Sequence, residues 1–473
     1  MNKIIKIFWN NIKIVLGLCL IVGTFYFGYN YLNSKFRNPE AYYNDSFHNL
    51  PEESMDVIVL GSSHAQYSFC PDFFYEDTGL YSYVLGSAFQ PLKISYLMLK
   101  EALKTQSPEM IILEVYTATL GDEPINENRY VLAEYQLTGE ERKEAISYLS
   151  DDKRVDYYNE FINNHNNWRN LSSIDDLRVD KTSIESTMGY HQNSVYLPVE
   201  NYWYSFIYDE DIDVELKQED LDALNNIYDL CKENDIEILL YMVPMDNVTV
   251  EIQSYRHKVW DWANEHDIKY IDFLERDTEF DIRSAIHSDG FHLYTNGASV
   301  VTDLLADYVK DNYVFDKHNE NDTLNSLYDK GTDYLIFDAL SSEYNVEKYI
   351  NRIVTYPGIV MLKYSGDSQV DSIKNNLSKI GVDLVDGQAF YGIVYDGELV
   401  TSSSTALEYN FNGVDIKIND STIEFNGNVV DCNELLTFVV SKSDFSSYKK
   451  KVVSYIDGQP WEDGYDFNYN KVN

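Results

Sequence analysis

The chain has 473 residues, 44% of them hydrophobic, and a formal net charge of −41. That length exceeds one ordinary domain, and the apolar content can fill real cores. So acidic a balance excludes nucleic acid as a partner, because backbone phosphates demand Lys and Arg, and it disfavours broad docking on anionic headgroups. Cys19, Cys70, Cys231 and Cys432 stand apart with no CxxC pair, so neither a zinc knuckle nor a disulfide framework is supported. Tyrosine is abundant between 116 and 210; such rings fill cores first and are also compatible with stacking on a sugar.

The segment from Ile12 to Leu32 is apolar, flanked by Lys3, Lys6 and Lys13 before it and by Lys35 and Arg37 after it. At ~1.5 Å per residue such a helix covers ~30 Å, a bilayer's hydrocarbon thickness. Tyr26, Tyr29 and Tyr31 crowd one end, as interfacial rings do. A cleaved signal peptide is the alternative, but bulky Phe25-Tyr26-Phe27 stands where small residues are expected. The expectation is an uncleaved single-pass anchor in the cell membrane, N-terminus cytoplasmic, with the bulk of the chain outside the cytoplasm.

After a polar linker, strands and helices alternate. Apolar runs at 56–60, 81–85, 110–115, 236–243 and 268–273 predict buried strands. Helical patterns at 92–105, 219–234, 250–266 and 296–312 lie between or after them. Helices between buried apolar strands predict a parallel sheet covered on both faces. The alternation breaks over about 117–216, which reads as an insertion or lid with helix-like patches at 140–149 and 155–164. Beyond residue 328 two helix-like stretches (346–355 and 369–380) flank the run Ile359–Leu362. Asp396-Gly397, Asn412-Gly413 and Asn426-Gly427 then predict hairpins. The expected organisation is an anchor at 1–37, a linker at 38–54, an α/β domain at 55–316 carrying the insertion, and an α+β domain of unknown role at 328–473.

Parallel α/β sheets bind ligands at the carboxyl ends of their strands. The first strand ends at Gly61-Ser62-Ser63-His64, where a serine can project into the crevice; alone it is a poor nucleophile and needs a base. Near the end of the same domain, Asp289-Gly290-Phe291-His292 puts a carboxylate and an imidazole in one turn, so the acid can set the imidazole's tautomer. His64 and His287 invite a metal reading, but no HxH or HExxH spacing exists and no metal or cofactor is expected. Glu114 closes the third strand, either in the pocket or on its rim.

Gly61-Ser62-Ser63 after the first strand, Gly86 after the second and Asp289-x-x-His292 before the last helix resemble the SGNH (GDSL-like) hydrolase superfamily. The resemblance implies a flavodoxin-like, three-layer, doubly wound α/β sheet. By it, Ser63 is the nucleophile, His292 its base and Asp289 the residue that orients His292, while the N–H groups of Ser63 and Gly86 form an oxyanion hole. His64, Glu114 and His287 are pocket candidates. Two departures stand out: Ser62 replaces the family's usual Asp, and no GxND-like sequence follows the third strand, which reads Leu113-Glu114-Val115-Tyr116-Thr117. The GSS form together with the anchor looks nearest to the branch of the teichoic-acid D-alanine transfer and polysaccharide O-acetylation proteins. That likeness implies an esterase or O-acyltransferase acting on acyl esters of envelope polysaccharide, beside a membrane-bound O-acyltransferase. The competing expectation is a non-catalytic partner or polysaccharide-binding module of the same fold in a membrane O-acyltransferase system.

Overall fold

The computed structural model describes residues 2–36, 47–121, 137–157, 187–192, 208–246, 248–275, 286–287, 289–315, 320–342, 346–366, 374–375, 377–433, 435–453, 455–456, 459–460 and 469–470. Helix α1 (Asn2–Phe36) contains the stretch Asn11–Tyr31, whose length and mean hydropathy of 1.8 suit a membrane span or a signal sequence.

The α/β unit begins with β1 (Val57–Gly61), followed by α2 (Ser63–Ser68) and α3 (Pro71–Thr78). Next come β2 (Ser82–Gly86), α4 (Leu92–Ala102) and β3 (Met110–Glu114). The strands pair in the order β2-β1-β3, and all pairs are parallel. Alternation divides β1 between two cores: Val57 and Val59 join one apolar cluster, Ile58 and Leu60 the other. A sheet buried on both faces needs such unbroken aliphatic runs, each fully buried side chain contributing ~1.5–3 kcal/mol.

Within the expected insertion lie α5 (Gly139–Ser147) and α6 (Asp151–Tyr157); the rest of the patch at 155–164 falls outside the described residues. Residues 187–192 dock on the sheet's edge, where the Val84 N–H of β2 donates to the Met188 carbonyl at 3.0 Å. Gly189 is required there, since its φ is +86° and a Cβ would sit 2.2 Å from the Val84 oxygen.

The sheet is completed by α7 (Gln218–Glu233), β4 (Glu237–Met242), α8 (Val250–Glu265) and β5 (Lys269–Asp272), giving the order β2-β1-β3-β4-β5. Helix α9 (Thr295–Asn312) follows, packed against α2 and α3. The direction of winding reverses between β1 and β3. A crevice therefore opens at the carboxyl ends of those two strands.

Helix α10 (Asp322–Ser342) is not among the helices that the sequence pattern predicts. Its start carries a signal nonetheless: Asn321 Oδ1 accepts from the N–H groups of Thr323 and Leu324. Leu335, Ile336, Phe337 and Leu340 lie in the same apolar cluster as Phe69 and Phe73, and that cluster continues to Leu362 and Phe438. One core thus runs from the α/β unit into the C-terminal part.

That part contains α11 (Val346–Thr355), β6 (Ile359–Tyr364), β7 (Phe390–Tyr395) and β8 (Glu398–Ser403). A small meander follows: β9 (Leu407–Phe411), β10 (Val414–Ile418), β11 (Thr422–Phe425) and β12 (Asn428–Asp431). Finally β13 (Leu436–Ser441) and β14 (Tyr448–Val453) join an antiparallel sheet ordered β14-β13-β6-β7-β8, with the short strand Tyr469–Asn470 paired outside β14. The hairpin dipeptides sit where predicted, with φ positive at Asp396, Asn412 and Asn426 and at each following glycine. Of the helix expected over 369–380, the described end is a 3₁₀ turn at Ser378–Ile380, and residues 369–373 and 376 lie outside the described set.

Candidate active site

Ser63 opens α2 immediately beyond β1. Ser62 is the N-cap, its hydroxyl accepting from the His64 N–H at 3.1 Å. The same hydroxyl donates to Glu114 Oε2 at 2.7 Å, and the Ser62 N–H donates to that oxygen at 3.1 Å. Glu114 Oε1 accepts from the Tyr116 N–H at 2.5 Å. Glu114 is thus a buried brace between the ends of β1 and β3 rather than a rim residue. Burial pushes its carboxyl up to about 7, against the pull of the Ser62 and Tyr116 donors. Gly61 must lack a side chain, because a Cβ would lie 2.6 Å from Glu114 Cβ and 2.9 Å from Ala65 Cβ.

The loop before α9 supplies the opposite wall. It is pinned by a bridge between Ile286 and Leu293, by the His287 N–H donating to the His292 carbonyl at 2.7 Å, and by the Asp246 N–H donating to the Gly290 carbonyl at 2.8 Å. Asp289 Oδ1 accepts from the N–H groups of Phe291 and His292, at 2.9 and 3.0 Å. Its Oδ2 lies 2.7 Å from His292 Nδ1 and 3.2 Å from His287 Nδ1. Burial opposes the charge on Asp289. The hydrogen bonds from His287, His292 and the two N–H groups outweigh it and hold this carboxyl well below the usual range.

His292 Nε2 lies 2.9 Å from Ser63 Oγ, although 229 residues separate the two in sequence. An ionised carboxylate only accepts, so the His292 proton belongs on Nδ1 and Nε2 is the acceptor for the Ser63 hydroxyl. Ser63, His292 and Asp289 therefore form one hydrogen-bonded chain at the crevice. This is the arrangement that serine acyl-transfer sites use.

An arc of rings lines the same place. From exposed Phe89 the ring centroids step to Tyr116 (6.3 Å), His64 (4.0 Å), His292 (5.7 Å), Tyr67 (4.7 Å) and His191 (5.6 Å). His191 comes from the docked piece of the insertion: its N–H donates to the Gln66 carbonyl at 2.7 Å, and its Nε2 lies 3.3 Å from Gln66 Nε2. Burial, then the charge of His292, pushes His191 down to about 4. His191 and Tyr67 were missed in sequence. Tyr67 lies one helical turn beyond Ser63, but no local pattern marks a histidine inside the stretch 117–216, where the sequence loses its alternation. Among the described residues no group of three His, Cys, Asp or Glu side chains is arranged to hold a metal.

No family model matches the chain, and no curated protein matches it. Among solved structures it is similar to a GDSL-like lipase from Bacteroides thetaiotaomicron, at 11% identity over 58% of this chain and 98% of that one, with a TM-score of 0.31. It is also similar to the lipase/acylhydrolase from Enterococcus faecalis (11% identity, 55% of this chain and 99% of that one, TM-score 0.27). A third is the acetyl xylan esterase of the rumen bacterium Butyrivibrio proteoclasticus (10% identity, 56% and 65%, TM-score 0.23). Likenesses this distant carry no functional argument; the geometry of the site does.

Proposed function

We propose that the protein is a serine ester hydrolase or acyl-transfer enzyme, with Ser63 as nucleophile, His292 as general base and acid, and Asp289 as the group that orients His292. The observation that carries this reading is the unbroken chain Ser63 Oγ–His292 Nε2 (2.9 Å) and His292 Nδ1–Asp289 Oδ2 (2.7 Å). Ser63 Oγ attacks the ester carbonyl while its proton passes to His292 Nε2. The tetrahedral adduct collapses, the carbon–oxygen bond to the leaving alcohol breaks, and His292 returns the proton to that oxygen. Water or a second hydroxyl then attacks the acyl-serine through the same imidazole, releasing acid or a new ester. The oxyanion is held by the N–H of Ser63, which as the first residue of α2 has no intrahelical acceptor, and by the N–H of Gly86. Gly86 suits that place because a Cβ would lie 3.1 Å from the carbonyl oxygens of both Gly61 and Ser62.

The finer reading is an anchored enzyme with its α/β unit outside the cytoplasm, acting on acyl esters of envelope polysaccharide beside a membrane-bound O-acyltransferase. It is supported by the apolar stretch Asn11–Tyr31 and by the Gly61-Ser62-Ser63 form of the nucleophile turn. The experiment for the chemistry is labelling of the full chain with a fluorophosphonate. Ser63→Ala abolishes labelling, and labelling that survives the substitution refutes the assignment. Acyl analysis of envelope polysaccharide from cells carrying wild-type or Ser63→Ala protein tests the substrate. Protease access to the α/β unit in right-side-out vesicles tests the orientation.

A further inference from the structure

We propose that His64 is a third oxyanion donor, its Nε2–H standing in for the side-chain amide that the GDSL-like pattern takes from beyond the third strand. This rests on Ser63 being the nucleophile. Position is the first argument. His64 follows Ser63 directly, and its ring stacks on Tyr116 with centroids 4.0 Å apart and planes at 25°. Tyr116 lies just past the end of β3, where the missing Asn is expected. His64 also packs against His292, with centroids 5.7 Å apart and planes at 84°. The imidazole therefore stands between the end of β3 and the base that serves Ser63.

Hydrogen bonding is the second argument. His64 is only 2% exposed, and its Nδ1 is sealed from solvent with no partner. Among the described residues no side chain or carbonyl binds Nε2 either, yet Nε2 is not sealed. It is the one side-chain nitrogen of the ring that is not sealed. A dry, unpaired N–H costs free energy, so the single proton of a neutral imidazole belongs on Nε2, where water or substrate can accept it.

Charge is the third. Burial, then the repulsion of His292, pushes His64 down to about 3 despite the pull of Asp289, so the ring is a neutral donor throughout the physiological range. A neutral imidazole donates to a developing oxyanion without having to lose a proton to it, the role that a helix-depressed histidine plays in triosephosphate isomerase. The Ser63 hydroxyl is bonded to His292, so His64 does not serve as a second base.

The test uses the full chain, p-nitrophenyl acetate as substrate and phenylboronic acid as a tetrahedral mimic that bonds to the serine oxygen. Hydrolysis must first depend on Ser63; a wild type without Ser63-dependent hydrolysis overturns the reading of the site and the role of His64 with it. Given that dependence, His64→Phe, which keeps a ring on Tyr116, lowers kcat by ~10²-fold or more with KM changed less than ~3-fold. Its boronate affinity falls by a comparable factor. His64→Gln, whose amide can reach the place of Nε2, recovers at least ~10-fold of that loss, whereas the shorter His64→Asn does not. The role is overturned by a kcat for His64→Phe within ~3-fold of wild type, by a kcat loss with unchanged boronate affinity, or by equal activity in the Gln and Asn variants. The Gln–Asn comparison decides the matter should the Phe variant not fold.

Discussion

Ser62 and Glu114 are joined twice: the N–H and the hydroxyl of Ser62 both donate to Glu114 Oε2, at 3.1 and 2.7 Å. The first bond fixes the backbone just before Ser63, and the second orients the hydroxyl that caps α2. A carboxyl group on the neighbouring strand thus braces the turn that leads into Ser63. It ionises near 4.5 when unfolded and at about 7 in place. Because the folded value is raised, the folded state binds the proton more tightly. The associated stability is complete below pH ~4.5 and is lost as pH rises through ~7, roughly 3 kcal/mol in all. Glu114→Gln removes that dependence. Urea unfolding at pH 5 and pH 8 measures it: the difference between wild type and variant changes by about this amount, and a difference that stays constant refutes the assignment.

Asp289→Asn tests the orienting carboxylate. An amide can present its N–H to His292 Nδ1, which moves the imidazole proton to Nε2 and leaves Ser63 without an acceptor. The expected loss in kcat/KM for p-nitrophenyl acetate is ~10³–10⁴-fold. The Phe291 and His292 N–H groups can still donate to the amide oxygen, so the loop remains in place and the melting temperature moves by only a few degrees. A loss smaller than tenfold removes Asp289 from the chain.

The five strands and the long helices of the α/β unit were legible because each is a run of one period, Ser63 because it follows such a run and His292 because it precedes one. What escaped the sequence was set by tertiary contact. Glu114 looked like a rim residue, since the last position of a strand can face either way; its burial follows from Ser62 lying across the gap. Helix α10 was hidden because its apolar face serves two partners. Tyr328 turns to β2, whereas Leu335 and Leu340 join the core shared with the C-terminal sheet. That wraps apolar residues around the helix and blurs its stripe. His191 was unreadable, because the register that brings it to Tyr67 depends on Met188 docking against Val84.

Gly189→Ala tests that docking. The glycine has φ +86°, and an added Cβ would lie 2.2 Å from the Val84 oxygen, so the segment must lift from the edge of β2. Tyr190, which donates to Thr295 Oγ1 at 3.2 Å at the head of α9, lifts with it. The expected cost is ~2 kcal/mol or more in urea unfolding, together with faster proteolytic cutting within 187–192. Unchanged stability and unchanged cutting contradict the docked register.

Tyr328→Phe tests whether α10 belongs to the α/β unit. The Tyr328 hydroxyl accepts from the Ser82 N–H at 2.9 Å and donates to the Ser82 carbonyl at 2.6 Å, closing the start of β2 where no neighbouring strand does. Phenylalanine keeps the stacking on Tyr75 and Tyr81, with centroids 4.8 and 5.5 Å away, but leaves both buried main-chain groups without a partner. An unsatisfied buried group costs ~1–3 kcal/mol, so the variant loses about 2 kcal/mol or more. Tyr75→Phe is the control. Its hydroxyl donates to the Asn325 side chain at 2.9 Å in a half-buried setting where water can replace it, and its loss stays below ~1 kcal/mol. Equal losses in the two variants mean that the Ser82 groups are not held by α10, and that this helix belongs with the C-terminal sheet alone.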